Sequence, residues 1–157
     1  MPGVPKWNKE RAGKIIGEHL KMEGPVLPIL HALQHEFGFI PDEAVVQVAE
    51  AVNATRAEIH GVVTFYHDFR RAPAGRHVLK LCRAEACQSV GADGLAEHAK
   101  TRLGIAWGET SANGAVTLEP VFCLGFCALG PAALLDGAPA GRLDRAALDE
   151  LIDGCAP

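Results

Sequence analysis

The chain reads as an α/β protein in two parts, a helical N-terminal region followed by a region where strands and helices alternate. Three observations say so. Apolar residues recur at helical spacing up to about Phe69. The stretch "RRAPAGRH" (Arg70 to His77) then interrupts that pattern with a proline and a glycine. Beyond it, short apolar runs bounded by turn residues alternate with amphipathic stretches. The expected division is a helical bundle over residues 1–70 and a second domain over residues 77–157.

In the first region Asn8 can cap a helix carrying Ile15, Ile16 and Leu20, ending near Gly24-Pro25. Leu27, Leu30, Leu33, Gln34 and Phe37 predict a second helix, with Gly38 as its C-terminal stop. Asp42 opens a third, whose Val45, Val48, Ala49 and Val52 share one face. Thr55 followed by Glu58 is a capping box for a fourth, carrying Ile59, Val62, Val63, Tyr66 and Phe69.

In the second region "HVLKLC" (His77 to Cys82) reads as a strand, and Ser89 to Leu103 as a helix stopped at Gly104. Asn113-Gly114 marks a turn into a strand over Ala115 to Phe122. Ala132 to Leu135 reads as another strand, and Asp136-Gly137 turns into a short one before Leu143. Asp144 caps a last helix with Ala147, Leu148, Leu151 and Ile152. The order is β-α-β-β-β-α, and the first two strands are expected to be parallel through their crossover helix. That is the pattern of a thioredoxin-like sandwich.

Composition narrows the function. At 157 residues the chain can bury roughly 70% of its unfolded surface, so its core needs no disulfide staples. A formal charge of −4 and the absence of any Lys- or Arg-rich block argue against nucleic-acid binding. The segment from Ala115 to Leu135 is mostly apolar, but Glu119, Pro120, Gly125, Gly130 and Pro131 would break a spanning helix, so no membrane insertion is expected. "MPGVPKWNKERAGK" offers no apolar run for a secretory signal, so a reducing cytoplasm is the expected compartment. There, paired cysteines point to metal or redox chemistry before structural disulfides.

The chain has 5 cysteines, and four are paired. Cys82 and Cys87 form a C-x4-C pair, Cys123 and Cys127 a C-x3-C pair. Cys82 closes one strand, Cys87 stands just before a helix, Cys123 closes another strand, and Cys127 lies in the loop after it. If those strands are parallel, both pairs emerge at one end of the sheet. Four thiolates brought together repel each other unless a cation neutralises them. Both intervals are longer than the C-x-x-C of disulfide oxidoreductases. Zinc remains open on spacing alone. Four thiolates are also the usual ligands of a [2Fe–2S] centre, whose two irons spread their ligands more widely than one ion does. Gly91, Gly125 and Gly130 allow close backbone approach, and a helix N-terminus after Cys87 favours thiolates. The plainer alternative, four small buried apolar residues, does not account for the paired spacing. Cys155 has no partner at a useful spacing and reads as a spare thiol.

The stretches "LCRAEACQSVGADGLAEHAKTRLG" and "VTLEPVFCLGFCALGPAALLDG" resemble the thioredoxin-like [2Fe–2S] ferredoxins, the family of the 24-kDa-type subunit of respiratory complex I and of matching subunits in NAD-linked hydrogenases and formate dehydrogenases. "VLPILHALQHEFGFIP" and "GVVTFYHDFR" look like that family's helical extension. Within the family, "CRAEACQ" and "LEPVFCLGFC" look most like the gamma subunit of soluble, molybdenum-containing, NAD-dependent formate dehydrogenase. Complex I relatives tend to carry threonines and a proline where this chain has Arg83, Ala84, Glu85 and Ala86. The resemblance implies that Cys82, Cys87, Cys123 and Cys127 ligate one [2Fe–2S] cluster. It also implies a partner subunit with FMN, further iron–sulfur centres and the NAD site, and a larger molybdenum-containing formate dehydrogenase subunit. The expected role is one-electron transfer with that FMN, without an active site of the chain's own. An all-thiolate cluster gains negative charge on reduction, so a low potential is expected. The equivalent subunit of complex I or of a hydrogenase, a zinc-stabilised adaptor, and a thiol–disulfide oxidoreductase are the alternatives.

Other candidates are weaker. His31 and His35 stand at i, i+4 but lack a third ligand and do not complete H-E-x-x-H. His60 and His67 flank the fourth helix and read as packing or docking residues. Trp7 and Trp107 read as local packing. No G-x-G-x-x-G, P-loop or G-x-S-x-G occurs, so nothing here predicts that the chain binds NAD, FMN or substrate alone.

Overall fold

The structure is a computed structural model, and it describes residues 7–155. The chain forms two compact units, divided between Pro73 and Ala74. Residues 1–6, which hold part of the stretch read for a secretory signal, and residues 156–157 lie outside the described residues.

The first unit is helical: α1 (Lys9–His19), α2 (Val26–Phe37), α3 (Asp42–Val52) and α4 (Arg56–Phe65). The Asn8 side chain accepts the Arg11 N–H at 2.9 Å and starts α1. Gly38 ends α2 in the left-handed region at φ 80°, and Asn53 ends α3 the same way at φ 55°. Thr55 and Glu58 form the predicted capping box at α4. Ile15, Leu30, Leu33, Phe37, Val45, Val48, Ile59 and Val63 meet in one core, with Trp7 packed on Phe37 at 4.7 Å between ring centres.

The fourth helix stops earlier than the apolar spacing predicts. It ends at Phe65, and Tyr66 is already extended. Phe69 is still buried, but a loop delivers it. Gln34 secures that loop from α2: its Nε2 donates to Asp68 O at 2.6 Å and its Oε1 accepts the Arg70 N–H at 2.7 Å. A side-chain amide thus supplies bonds that further helical turns would have made.

The second unit holds β1 (His77–Cys82), α5 (Glu85–Gln88), α6 (Ala92–Leu103), β2 (Val116–Val121), β3 (Ala133–Leu135), β4 (Ala138–Ala140) and α7 (Arg145–Asp153). The sheet order is β2-β1-β3-β4. β1 and β2 run parallel, with Cys82 opposite Val121, while β3 pairs antiparallel with both β1 and β4. Leu79, Leu81 and Leu118 from the strands, Leu95, Ala96 and Ala99 from α6, and Leu148 and Ile152 from α7 make its core. Asp136, in the left-handed region at φ 52°, accepts the Val78 N–H at 2.8 Å and stands 2.6 Å from His77 Nδ1, pinning the β3–β4 turn to β1.

The predicted helix over Ser89 to Leu103 is α6, which starts at Ala92, and a short helix that the sequence did not predict, α5, precedes it. Gly91 adopts φ 97°, a value few other residues reach, and breaks α5 from α6. Cys87 therefore sits inside the short α5 and not ahead of a long helix. No helix among the described residues is long and apolar enough to cross a membrane.

Candidate metal centre

Parallel pairing carries β1 and β2 to the same end of the sheet, and both cysteine pairs stand there. Cys82 is the last residue of β1, and Cys87 lies one turn on, in α5. Cys123 follows β2 after Phe122, and Cys127 opens a short 3-10 turn, Cys127–Leu129. All five cysteines are free thiols. Cys82 and Cys87 are buried with Ala92 and Ala132, while Cys123 and Cys127 are exposed. Half of the thiol set faces the interior and half reaches the surface.

The four thiols interact. Cys82 and Cys87 are neighbours that shift each other's acidity, and so do Cys123 and Cys127. The two pairs also feel each other across the strand ends, where the charge of Cys82 bears on Cys127 and that of Cys127 on Cys87. Burial pushes the Cys82 thiol up, but the N–H of Ala84, the S–H of Cys87 and the N–H groups of Leu124 and Cys123 outweigh it and hold the group below its ordinary value. Cys87 moves the other way: burial raises it first, then its hydrogen bond with Cys82 and the charges on Cys82 and Cys127, against one N–H from Ala132. Cys127 is raised mainly by its bond to Cys123 and by that neighbour's charge. Of these three thiols Cys82 therefore ionises most readily, and each further thiolate forms against the repulsion of those already present.

The backbone is shaped for sulfur. Cys123 is left-handed at φ 93° and Gly125 at φ 79°, which turns the Gly125 N–H onto Cys123 Sγ at 3.4 Å. A Cβ at Gly130 would stand 3.4 Å from Cys87 Sγ and 3.2 Å from Val90 Cγ2, so glycine leaves the Cys87 sulfur the most room on this side. N–H groups aimed at sulfur stabilise thiolate ligands and tune a cluster's potential. Among the described residues, no group of His, Cys, Asp or Glu gathers as the ligand set of a single metal ion. The thiols form two linked pairs, and a two-iron cluster takes its four thiolates as one pair per iron. The donor set fits such a cluster.

A family model for thioredoxin-like [2Fe–2S] ferredoxins matches residues 12–156. The chain belongs to this family. As a thioredoxin-like [2Fe–2S] ferredoxin it carries one [2Fe–2S] cluster and works as an electron carrier. Its relatives include an E-type subunit of the NADH-quinone oxidoreductase of Rhizobium meliloti, 37% identical over 82% of this chain and 76% of the relative. The corresponding E-type subunit of Pseudomonas aeruginosa is 36% identical over 68% of this chain and 64% of its own length. Among solved structures, an air-oxidised NAD+-reducing [NiFe]-hydrogenase superposes with a TM-score of 0.68 and 26% identity over 83% of this ferredoxin. This ferredoxin spans 22% of that hydrogenase chain.

The remaining candidates go elsewhere. His31 stacks on Phe69 at 4.9 Å between ring centres, and His35, His60 and His67 are exposed. Glu58 is a cap. Cys155 is 2% exposed, packs in the α6–α7 core and donates to Leu151 O at 3.2 Å, so the spare thiol is part of the core. Sequence reasoning missed α5 as the seat of Cys87; Gly91, free to take φ 97°, was the only local signal of the break. From its place next to Cys82, Arg83 could offset thiolate charge if it pointed inward, and no pattern in the sequence says which way it points.

Proposed function

We propose that this chain is the [2Fe–2S] electron carrier of a cytoplasmic, NAD-dependent formate dehydrogenase, exchanging single electrons with the FMN of a partner subunit. Cys82, Cys87, Cys123 and Cys127 would hold the cluster. When bound, the cluster supplies one-electron chemistry, which lets a flavin divide a hydride's two electrons into single steps. Cys82 and Cys87 anchor the buried side, and the N–H groups of Ala84, Leu124 and Ala132 offset thiolate charge where water cannot. Cys123 and Cys127 stand on the exposed side, beside exposed Phe122, Val90 and Leu129. That side is where a partner's electron would enter or leave. The observation that carries the reading is the meeting of two distant thiol pairs at one end of the parallel β1–β2 pair.

The formate assignment rests on "CRAEACQ" and its resemblance to the gamma-type subunit. It brings with it an FMN- and NAD-binding iron–sulfur partner and a molybdenum-containing subunit. The relatives favour a second reading, the equivalent subunit of an NADH:quinone oxidoreductase or a NAD-linked hydrogenase, since those are the names they carry. Purification of the native complex decides between them. Formate-driven dye reduction supports the first reading; reduction driven only by NADH or hydrogen supports the second. A colourless protein holding zinc and no acid-labile sulfide would sink both and leave the structural adaptor.

A further inference from the structure

Arg83 follows Cys82 directly, at the strand end where the thiol pairs meet. Its side chain is 24% exposed and does not run out into solvent. One terminal guanidinium nitrogen lies 2.9 Å from Asp93 Oδ1, in the first turn of α6. The guanidinium carbon stands 5.5 Å from the centre of the Trp107 ring, a cation–π distance. Nε is buried and has no acceptor among the described residues. Ala92, the neighbour of Asp93, packs in the same cluster as Cys82 and Cys87. The cation is thus held on two sides, on the residue next to Cys82 and against the residue next to Ala92 of the thiol cluster, with one buried donor left over.

Two opposite charges meet here, and burial decides which one the thiol site feels more. The Asp93 side chain is 58% exposed, so water and salt screen it. Arg83 is mostly buried, and its field acts through a medium of lower dielectric. A four-thiolate centre is anionic, and one added electron makes it more so. A well-held positive charge favours that more negative state. We propose that Arg83 sets the reduction potential of this centre, raising it through a guanidinium kept in place by Asp93 and Trp107. The proposal rests on the electron-carrier reading above. The step it governs is simple: one electron passes from a reduced flavin or a chemical reductant to the centre, no bond breaks and no proton is required.

The test is a potentiometric titration of the full chain with its cluster, followed by visible absorption and by the paramagnetic signal of the reduced state. Arg83→Gln lowers the ratio of reduced to oxidised protein about tenfold at the wild-type midpoint, a shift of about 59 mV for a one-electron couple. Arg83→Lys keeps the charge and stays within about twofold, although lysine lacks the planar fork. Arg83→Met removes the charge and keeps most of the aliphatic stem; it carries the test should Arg83→Gln fail to load, and it lowers the midpoint by a similar amount. A loaded Arg83→Gln or Arg83→Met with the wild-type midpoint overturns the proposal alone. Wild-type protein that holds no iron and sulfide overturns the carrier reading and the proposal together.

Discussion

Four of the five cysteines meet and the fifth does not, and chemistry separates them. Cys82, Cys87, Cys123 and Cys127 shift one another's acidity, while Cys155 answers to burial and to a main-chain carbonyl. Cys→Ala at any of the four is expected to abolish bound iron and the visible spectrum; a normal spectrum in Cys123→Ala would remove that residue from the ligand set. Cys155→Ala keeps the spectrum and lowers stability by about 1 kcal/mol, the usual effect of a small core truncation. Burial, then the charge on Asp136, raises the Cys155 thiol above its ordinary 9.0. Its proton is held more tightly in the folded state, so its contribution is complete below that pH and is lost as the pH climbs through the raised value. Thermal melts should show an alkaline loss of stability that is smaller in Cys155→Ala. All four thiol positions and their pairing were legible as residues. The N–H groups that serve them were not, because backbone direction leaves no mark on composition.

Helical spacing located four N-terminal helices and misjudged where the last one ends. Tyr66 and Phe69 have the right interval for α4, yet only the core position of Phe69 is kept. Periodicity records which residues want burial; it does not record whether a helix or a loop brings them there. Gln34 makes that choice, with bonds to Asp68 and Arg70 far along the chain. Gln34→Ala should lower the stability of the first unit by about 1–2 kcal/mol, read by denaturant unfolding, and leave the visible spectrum unchanged. The turn carrying Cys127 has its own constraint. A Cβ on Gly141 would come within 2.9 Å of both Leu129 Cβ and Leu129 O. The Arg142 N–H also donates to Leu129 O at 2.6 Å, so the turn cannot easily yield. Gly141→Ala is therefore expected to destabilise the second unit by about 1–3 kcal/mol and to speed cluster loss under a chelator, measured as bleaching. Bleaching at the wild-type rate would show that the turn adapts.

In the whole chain, folding and cofactor are coupled through one unit. The two thiol segments are separated by α6 and β2, so a cluster held by both would join parts of the second unit that the chain order keeps apart. Removing iron and sulfide should increase amide exchange around residues 82–91 and 121–131 and leave the α1–α4 core unchanged. Equal loosening of both units would contradict that. By itself the sequence determined the two-part α/β organisation, the parallel first strand pair, the capping residues and the four thiols at issue, because each follows from local spacing and residue chemistry. Only the tertiary structure decided that the thiols meet, that Cys82 is the most acidic of those shifted, that Arg83 is held inward, and that α4 gives way to a loop. Those outcomes depend on burial and on hydrogen bonds between residues distant in the chain, and such distances exist only once the chain has folded.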